Sequence, residues 1–133
     1  MITAKHEGNY RIALTYAGNG SVNHTDAPKV YNGLGEFPSP ADLLAEALTA
    51  CALTTAAIWA TGHEISADGF RAEVEGMEID KDTYSLASIV IRFHVSAAIP
   101  ENLRKRLESA TLRGCLVGNS LKSEKQFVFD YDL

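Results

Sequence analysis

Two cysteines, Cys51 and Cys115, are the side chains of this sequence best suited to covalent chemistry. A thiolate is a nucleophile, and an oxidised thiol can condense with a second thiol to form a disulfide. The alternative is that both are small hydrophobic residues buried in a core, and the residues alone favour the two interpretations equally.

The same cysteines do not indicate a metal site or a permanent disulfide. Two thiols are too few for a structural zinc site, and the sequence contains no CxxC or HxxxH spacing. A reducing compartment disfavours a permanent disulfide. We therefore expect no metal and no cofactor, and a cysteine–histidine metal site is the least favoured hypothesis.

Cys51 lies in a long apolar stretch that a helix would have to position. Ser39 suits the N-cap and Pro40 the first turn, where the helix dipole also favours the carboxylate of Asp42. Gly62 is typical of a helix end. The stretch is apolar all round, which predicts a helix buried on every side. One sheet of so short a chain could hardly cover it, so we expect a second subunit.

Alternating apolar and polar residues predict strands on both sides of this helix. Three short strands are expected before it, two long strands after it with a bulge near Gly76, and a last strand over 127–133. Pro100 opens a second helix that Gly114 breaks, and a short further helix is predicted over 115–122. Strands in adjacent blocks are typical of antiparallel sheets and the α+β class.

Length, composition and charge exclude several classes of protein. A chain of 133 residues, 46% hydrophobic and 22% charged, is globular in composition, and we expect residues 1–133 to form a single domain. The formal net charge of −5 disfavours a nucleic-acid partner. The apolar stretch 43–60 carries Glu46, is rich in alanine and lacks a basic flank, so we expect a buried helix and no membrane span. With no signal-peptide pattern at the N-terminus, we expect a cytoplasmic protein.

Several runs of residues form a pattern that extends over nearly the whole chain. They are TDAP at 25–28, FPSPADLLA at 37–45, AC at 50–51, RLESA at 106–110 and CLVGNSL at 115–121. This pattern resembles the OsmC/Ohr family, the osmotically inducible protein C and organic hydroperoxide resistance proteins, and in particular its OsmC-like branch. The resemblance implies an OsmC-like fold, an intertwined homodimer with antiparallel sheets around a long central helix.

The resemblance also implies a thiol-dependent peroxidase that acts in the oxidative stress response. The cysteine matching Cys51 attacks the peroxide, and the one matching Cys115 resolves the product as a disulfide. Organic hydroperoxides are the preferred substrates of the Ohr branch, and a dithiol reductant regenerates the enzyme. Local electrostatics favour the opposite order, because Cys115 lies at a predicted helix N-terminus, which lowers a thiol pKa, whereas Cys51 lies in mid-helix among apolar residues.

The sequence departs from the family where the thiolate is activated. The peroxidatic members use an arginine held by a glutamate, and Ala41 occupies the position of that glutamate. Asp42 follows it and is a candidate for orienting a cation, which Arg11, Lys29 or a partner-subunit residue could supply. Leu116 stands where proline is common. These departures favour an alternative function, an OsmC-like binding module for an apolar small molecule at the dimer interface, without efficient peroxidase activity.

Overall fold

The computed structural model describes residues 1–133 in two units, Met1–Leu44 and Ala45–Leu133. A long helix, α1 (Pro40–Gly62), begins at the end of the first unit and continues in the second. The element types and their order belong to the α+β class, as the sequence predicts. That residues 1–133 act as one domain stays a prediction.

The first unit is a three-stranded antiparallel sheet in the order β1–β2–β3. Its strands are β1 (Ile2–Gly8), β2 (Arg11–Tyr16) and β3 (Val22–Asp26). All three were expected from the sequence. Asn9 and Tyr10 make the turn between β1 and β2 with positive φ. The loop after β3 contains one 3-10 turn, Lys29–Tyr31, and leads to α1.

Ser39 and Asp42 close the N-terminus of α1 with a capping box. The Ser39 backbone N–H and hydroxyl donate to Asp42 Oδ2 at 2.9 and 3.0 Å, and the Asp42 N–H donates to Ser39 Oγ at 3.1 Å. These bonds satisfy N–H groups that have no partner within the helix. The predicted start of the helix and its end at Gly62 are confirmed.

The second unit adds a three-stranded sheet in the order β4–β5–β6, with two short helices between β5 and β6. After α1 come β4 (Arg71–Asp80), β5 (Ser85–Val95), α2 (Glu101–Gly114), α3 (Leu116–Asn119) and β6 (Glu124–Tyr131). The β4–β5 pair is antiparallel, and its register shifts between Val74 and Gly76, where the sequence predicts a bulge.

The last strand corrects the expectation of purely antiparallel sheets, because β6 pairs with β5 in parallel. A parallel neighbour needs a long crossover connection, which α2 and α3 supply. The aromatic residues of β6 pack on the buried Phe93 of β5. The centroid of the Phe93 ring lies 5.2 Å from that of Phe127 and 4.6 Å from that of Phe129. Truncating a buried phenylalanine to alanine costs about 3–5 kcal/mol, so these contacts are sufficient to anchor the strand.

The short helix α3 is also shorter than predicted, with bounds Leu116–Asn119 where the sequence predicts 115–122. The ammonium group of Lys125 donates to the Gly118 and Leu121 carbonyls at 2.8 and 2.6 Å. The Gly118 carbonyl also accepts the Leu121 N–H at 3.2 Å, so the helix ends in a tight turn that a side chain of β6 closes. The chain consequently enters β6 three residues before the predicted start at 127.

Only one stripe of α1 is buried, whereas the sequence predicts burial on every side. The stripe repeats every three or four residues and consists of Ala45, Leu48, Ala52, Ala56 and Ala60. Leu48, Ala52 and Ala56 form one hydrophobic cluster with residues of β5 and with Leu107 and Cys115. Other apolar side chains of α1 are exposed, with Ile58 at 66%.

By length and composition alone, α1 would qualify as a membrane span. One such helix is weak evidence, since core helices of globular domains meet the same criteria. Five of its residues belong to the hydrophobic core. We therefore interpret α1 as a core helix, in line with the sequence, and the cytoplasmic location stays a prediction.

Candidate active site

Cys51 is presented by the middle of α1 at the edge of the buried stripe. Its side chain is partly exposed, whereas the next residue, Ala52, is fully buried. The hydroxyl of Thr55, one helical turn later, donates to the Cys51 carbonyl at 2.9 Å. The thiol is thus held on a rigid element and remains partly open to the surroundings.

Cys115 is fully buried between α2 and α3. The Gly118 N–H donates to its sulfur at 3.3 Å, and the thiol lies 4.0 Å from the Leu48 carbonyl of α1. Burial raises the pKa of the Cys115 thiol, the Gly118 N–H opposes this, and the neighbouring Cys51 thiol raises the pKa further. The N–H groups at this helix N-terminus lower the pKa as expected, but the net direction is upward because desolvation of the buried sulfur outweighs them.

The fold brings the two cysteines together. The Cys51 side chain packs against the buried cluster that contains Cys115, and the neighbouring Cys51 thiol contributes to the raised pKa of Cys115. Both thiols are free. Burial therefore favours the protonated form of the Cys115 thiol, and Cys51 lies beside it.

In the first unit, Arg11 is held by a buried carboxylate. Arg11 lies directly opposite Asp26 in the β2–β3 register, and its Nε and Nη2 each donate to one carboxylate oxygen at 2.8 Å. The Glu36 and Phe37 N–H groups also donate to Asp26, at 2.9 and 3.1 Å. The Arg11 guanidinium is the main cause that holds the pKa of Asp26 well below its usual range, and the two backbone bonds add to it.

The Arg11 guanidinium has two further contacts. The guanidinium carbon Cζ lies 4.6 Å from the centre of the Phe37 ring, and Nη2 lies 3.6 Å from Glu36 Oε1. Stacking and a bidentate carboxylate suit the planar, permanently charged guanidinium. Arg11 and Lys29 are the two side chains of this chain that the sequence offers as the cation for the thiolate. Arg11 is held by salt bridges, whereas Lys29 forms none.

Asp42, the acidic site residue expected from the sequence, is engaged at the helix cap. Its Oδ2 accepts both hydrogen bonds from Ser39, and no cationic side chain lies within salt-bridge distance. The contacts seen for Asp42 are those of a residue that charges and closes the helix start. Its role in orienting a cation stays a prediction.

Residues 33–129 match the family model of OsmC-like protein. The chain belongs to the OsmC-like protein family. None of the curated proteins compared with it matches significantly. A solved structure from Psychrobacter arcticus 273-4, provisionally described as an osmotic stress induced and detoxification response protein, is 26% identical with a TM-score of 0.89, over 97% of this chain and 94% of that chain.

Two further structures share the fold. An organic hydroperoxide resistance protein from Elizabethkingia anophelis is 13% identical with a TM-score of 0.77, over 99% of this chain and 96% of that chain. A protein from Vibrio cholerae O1, provisionally described as an organic hydroperoxide resistance protein and solved with captopril in one of its active sites, is 15% identical with a TM-score of 0.73, over 100% of this chain and 92% of that chain. The α+β, OsmC-like fold expected from the sequence is confirmed.

One cluster of this OsmC-like chain has side chains spaced for a metal ion. The ligand atoms of His94, Asp130 and Asp132 lie within 4.8 Å of one another. His94 is almost fully buried, and its ring nitrogens lie 2.7 Å from Glu73 and 2.8 Å from Asp132. Each ring nitrogen thus faces a carboxylate, and the two carboxylates raise the pKa of His94, Glu73 the more strongly. The cluster therefore favours the protonated ring between β4 and the C-terminal segment.

An open groove of about 540 Å³ lies between α2 and β6, away from the cysteine pair. Its lining residues are Lys105, Glu108, Ser109, Leu112, Lys125, Gln126, Phe127 and Phe129. Neither cysteine belongs to this lining. The cysteine pair, and not this groove, is therefore the candidate active site.

Sequence reasoning missed three residues beside the candidate groups. Thr55 and Gly114 meet next to the two cysteines, with the Thr55 hydroxyl 3.4 Å from the Gly114 carbonyl. The available signals were a threonine one helical turn after Cys51 and a glycine directly before Cys115. Asp26 was missed as the partner of Arg11, although an alignment of the β2–β3 hairpin places the two opposite each other.

Proposed function

We propose that this OsmC-like protein is a thiol-dependent peroxidase that reduces organic hydroperoxides. The observation that carries the proposal is the partly exposed Cys51 thiol on α1 beside the fully buried Cys115 thiol, both in one hydrophobic cluster. An organic hydroperoxide resistance protein of the same fold supports the substrate class.

In the first step, the Cys51 thiolate attacks one oxygen of the hydroperoxide. The O–O bond breaks, Cys51 becomes a sulfenic acid, and the departing alkoxide takes up a proton and leaves as an alcohol. Because burial raises its pKa, Cys115 keeps its proton at neutral pH and serves as a hydrogen-bond donor to the Cys51 thiolate. The more exposed cysteine thus meets the substrate.

In the second step, the Cys115 sulfur attacks the sulfenic sulfur of Cys51. The sulfur–sulfur bond forms, and the sulfenic oxygen leaves as water with the proton of Cys115. A dithiol reductant then cleaves this disulfide by exchange, so that both cysteines return to thiols and the reductant becomes a disulfide. Two electrons pass from the reductant to the peroxide in each cycle.

For the cation that stabilises the thiolate, we propose Arg11. Its bidentate bonds to Asp26 hold the guanidinium in one orientation within the first unit. Substitution of Arg11 tests this role. Asp42→Asn tests the orienting role of Asp42, since asparagine can still accept the capping bonds but carries no charge.

We further propose that the protein acts as a homodimer in the cytoplasm. Apolar side chains of α1, such as Ile58 at 66% and Leu44 at 36%, are exposed in the single chain. A second copy would cover them, and the family resemblance implies such an arrangement. Light scattering coupled to gel filtration is expected to give twice the chain mass of 14.4 kDa, and a monomer would contradict the dimer.

A second candidate function is the binding of an apolar small molecule without efficient peroxide chemistry. It is favoured by Ala41, which stands where peroxidatic members have a glutamate, and by the relative that holds captopril in one of its active sites. Native mass spectrometry of the purified protein would show a co-purifying ligand in this case, and the thiols would be inert to hydroperoxide.

The Cys115→Ser variant separates the two functions. After one equivalent of cumene hydroperoxide, the peroxidase is expected to gain the mass of one oxygen atom at Cys51, as a sulfenic acid that dimedone traps. The binding module would keep its mass and a free thiol. Cys51→Ser is the control, and it should gain no dimedone adduct.

A further inference from the structure

We infer that Thr55 and Gly114 form a spacer that fixes the separation of the two cysteines for disulfide closure. The inference rests on the proposed function, because it concerns the resolution step of the same site. Thr55 acts through the cysteines and does not touch the peroxide, so it is a positioning residue. Two contacts of the Thr55 side chain support the inference, one polar and one steric.

The polar contact links the backbone beside one cysteine to the backbone beside the other. The Thr55 hydroxyl lies 2.9 Å from the Cys51 carbonyl and 3.4 Å from the Gly114 carbonyl. A hydroxyl has one hydrogen, so the shorter bond is the main one and the longer contact shares it. Gly114 is bonded directly to Cys115. One side chain of α1 therefore lies against the peptide that carries the resolving cysteine.

The steric contact explains why residue 114 is a glycine. A Cβ at Gly114 would lie 2.9 Å from Thr55 Cγ2, closer than real Cβ contacts. Gly114 has no positive φ, so its backbone conformation does not require glycine. The Thr55 hydroxyl bond to the Cys51 carbonyl sets χ1, so the methyl cannot turn away without losing that bond. The two segments are thus packed as closely as a threonine and a glycine permit.

This close packing matters because a disulfide tolerates little variation in distance. Its Cα atoms must lie about 4.4–6.8 Å apart, and departures store strain that makes the bond more reducible. Cys115 Sγ also lies 4.0 Å from the Leu48 carbonyl, one turn before Cys51. A wider spacer would move the start of α3 away from this turn of α1 and separate the sulfurs.

The experiment measures the equilibrium between the dithiol and the disulfide in glutathione redox buffers, which needs no peroxide. Gly114→Ala should weaken the Cys51–Cys115 disulfide about tenfold, which is about 30 mV towards a less negative potential. Thr55→Ser alone should leave the potential near that of the wild type. The double variant Thr55→Ser with Gly114→Ala should recover most of the loss, because serine has no Cγ2 to meet the new Cβ.

Thr54 provides the matched control. Its hydroxyl donates to the Ala50 carbonyl at 2.7 Å, the same bond within the helix, but its side chain is exposed. Thr54→Ser combined with Gly114→Ala should therefore recover nothing. Equal recovery by Thr54→Ser, or no recovery by Thr55→Ser, overturns the spacer, as does a potential that Gly114→Ala leaves unchanged. Thermal unfolding of each variant monitors structural damage separately.

Thr55→Val carries the test if Gly114→Ala does not fold. Valine keeps a methyl group at the position of Cγ2 and removes the hydroxyl, and we expect the disulfide to weaken about threefold. An unchanged potential in Thr55→Val would then overturn the inference. A wild-type protein that forms no Cys51–Cys115 disulfide in any glutathione buffer overturns it too. One that forms the disulfide but consumes no hydroperoxide overturns the proposed function alone.

Discussion

The cysteine pair of the second unit and the Arg11–Asp26 pair of the first unit show burial acting on ionisable groups with opposite results. Burial raises the pKa of Cys115, and the neighbouring Cys51 adds to the effect. Burial also disfavours ionisation of Asp26, yet the pKa of that carboxyl is held well below its usual range, because Arg11 and two backbone N–H groups outweigh the desolvation.

The difference follows from how each group is satisfied. Asp26 accepts four hydrogen bonds, two of them from a permanent cation, so a buried charge is tolerated there. The sulfur of Cys115 accepts one N–H bond from Gly118 and stays neutral. One region thus stabilises a charge, and the other favours a protonated thiol. The predictions below test that contrast.

The largest effect is expected from removing the nucleophile. Cys51→Ser should abolish the consumption of cumene hydroperoxide, by about a thousandfold or more, because serine is not a competent nucleophile at this position. Cys115→Ser should still complete one turnover, since only the resolving thiol is lost. A peroxide assay with dithiothreitol as reductant measures the first, and peroxide loss per chain without reductant measures the second. Unchanged consumption by Cys51→Ser would contradict the assignment.

The next effect tests whether the charged pair serves the thiol pair. Arg11→Met should lower the rate of peroxide reduction about a hundredfold if its charge stabilises the thiolate. Arg11→Lys should recover only part, because lysine keeps the charge but loses the bidentate geometry. Single-turnover kinetics measure the rate. Arg113→Met is the control, since Arg113 is exposed and forms no salt bridge. An Arg11→Met protein that folds and keeps the wild-type rate of peroxide reduction would contradict the proposal for Arg11.

A smaller effect concerns the proton that Cys115 keeps. In Cys51→Ser, alkylation of Cys115 by iodoacetamide should rise with pH with a midpoint above the ordinary thiol pKa of about 8.5, because burial remains after Cys51 is removed. At pH 7 the reaction should be at least about tenfold slower than in the same chain in denaturant. A midpoint below 8.5 would show that the helix N-terminus governs this thiol.

The smallest effect is the pH dependence of the free energy of unfolding, to which the two units contribute with opposite signs. The pKa of Asp26 is lowered by folding, so its stabilisation is full above its unfolded pKa and lost as pH falls through the folded one. The pKa of His94 is raised, so its stabilisation is full below its unfolded pKa of about 6.5 and lost as pH rises through the folded value. Asp26→Asn should reduce the change in the free energy of unfolding at acidic pH. His94→Gln should reduce the change near neutral pH. Denaturant unfolding across pH 2–9 measures this, and a reversed order would refute it.

Local patterns predicted most of the elements. The capping residues Ser39 and Asp42, the end at Gly62 and the bulge near Gly76 were readable because each signal lies within a few residues of the feature that it sets. The parallel pairing of β6 could not be predicted, because the alternation of apolar and polar residues is the same in parallel and antiparallel strands. It follows from the long crossover through α2 and α3 and from contacts with Phe93.

The sequence pointed to Cys51 and Cys115, whose roles stay a prediction, but it did not give the electrostatics around them. Cys51 and Cys115 were identified from the motifs around them, whereas the pKa direction of Cys115 was wrong because burial depends on the whole fold. The contact of Thr55 with Gly114 joins residues that are far apart in the sequence, so only the folded chain shows it.

The most direct test of the cysteine pair is a thiol count and an intact mass on fully reduced protein, before and after one equivalent of cumene hydroperoxide. A working pair is expected to lose both thiols and two hydrogens within one chain, as Cys51 and Cys115 join. Two thiols still free after long exposure, with the mass unchanged, would contradict the account and leave an OsmC-like fold without peroxidase chemistry.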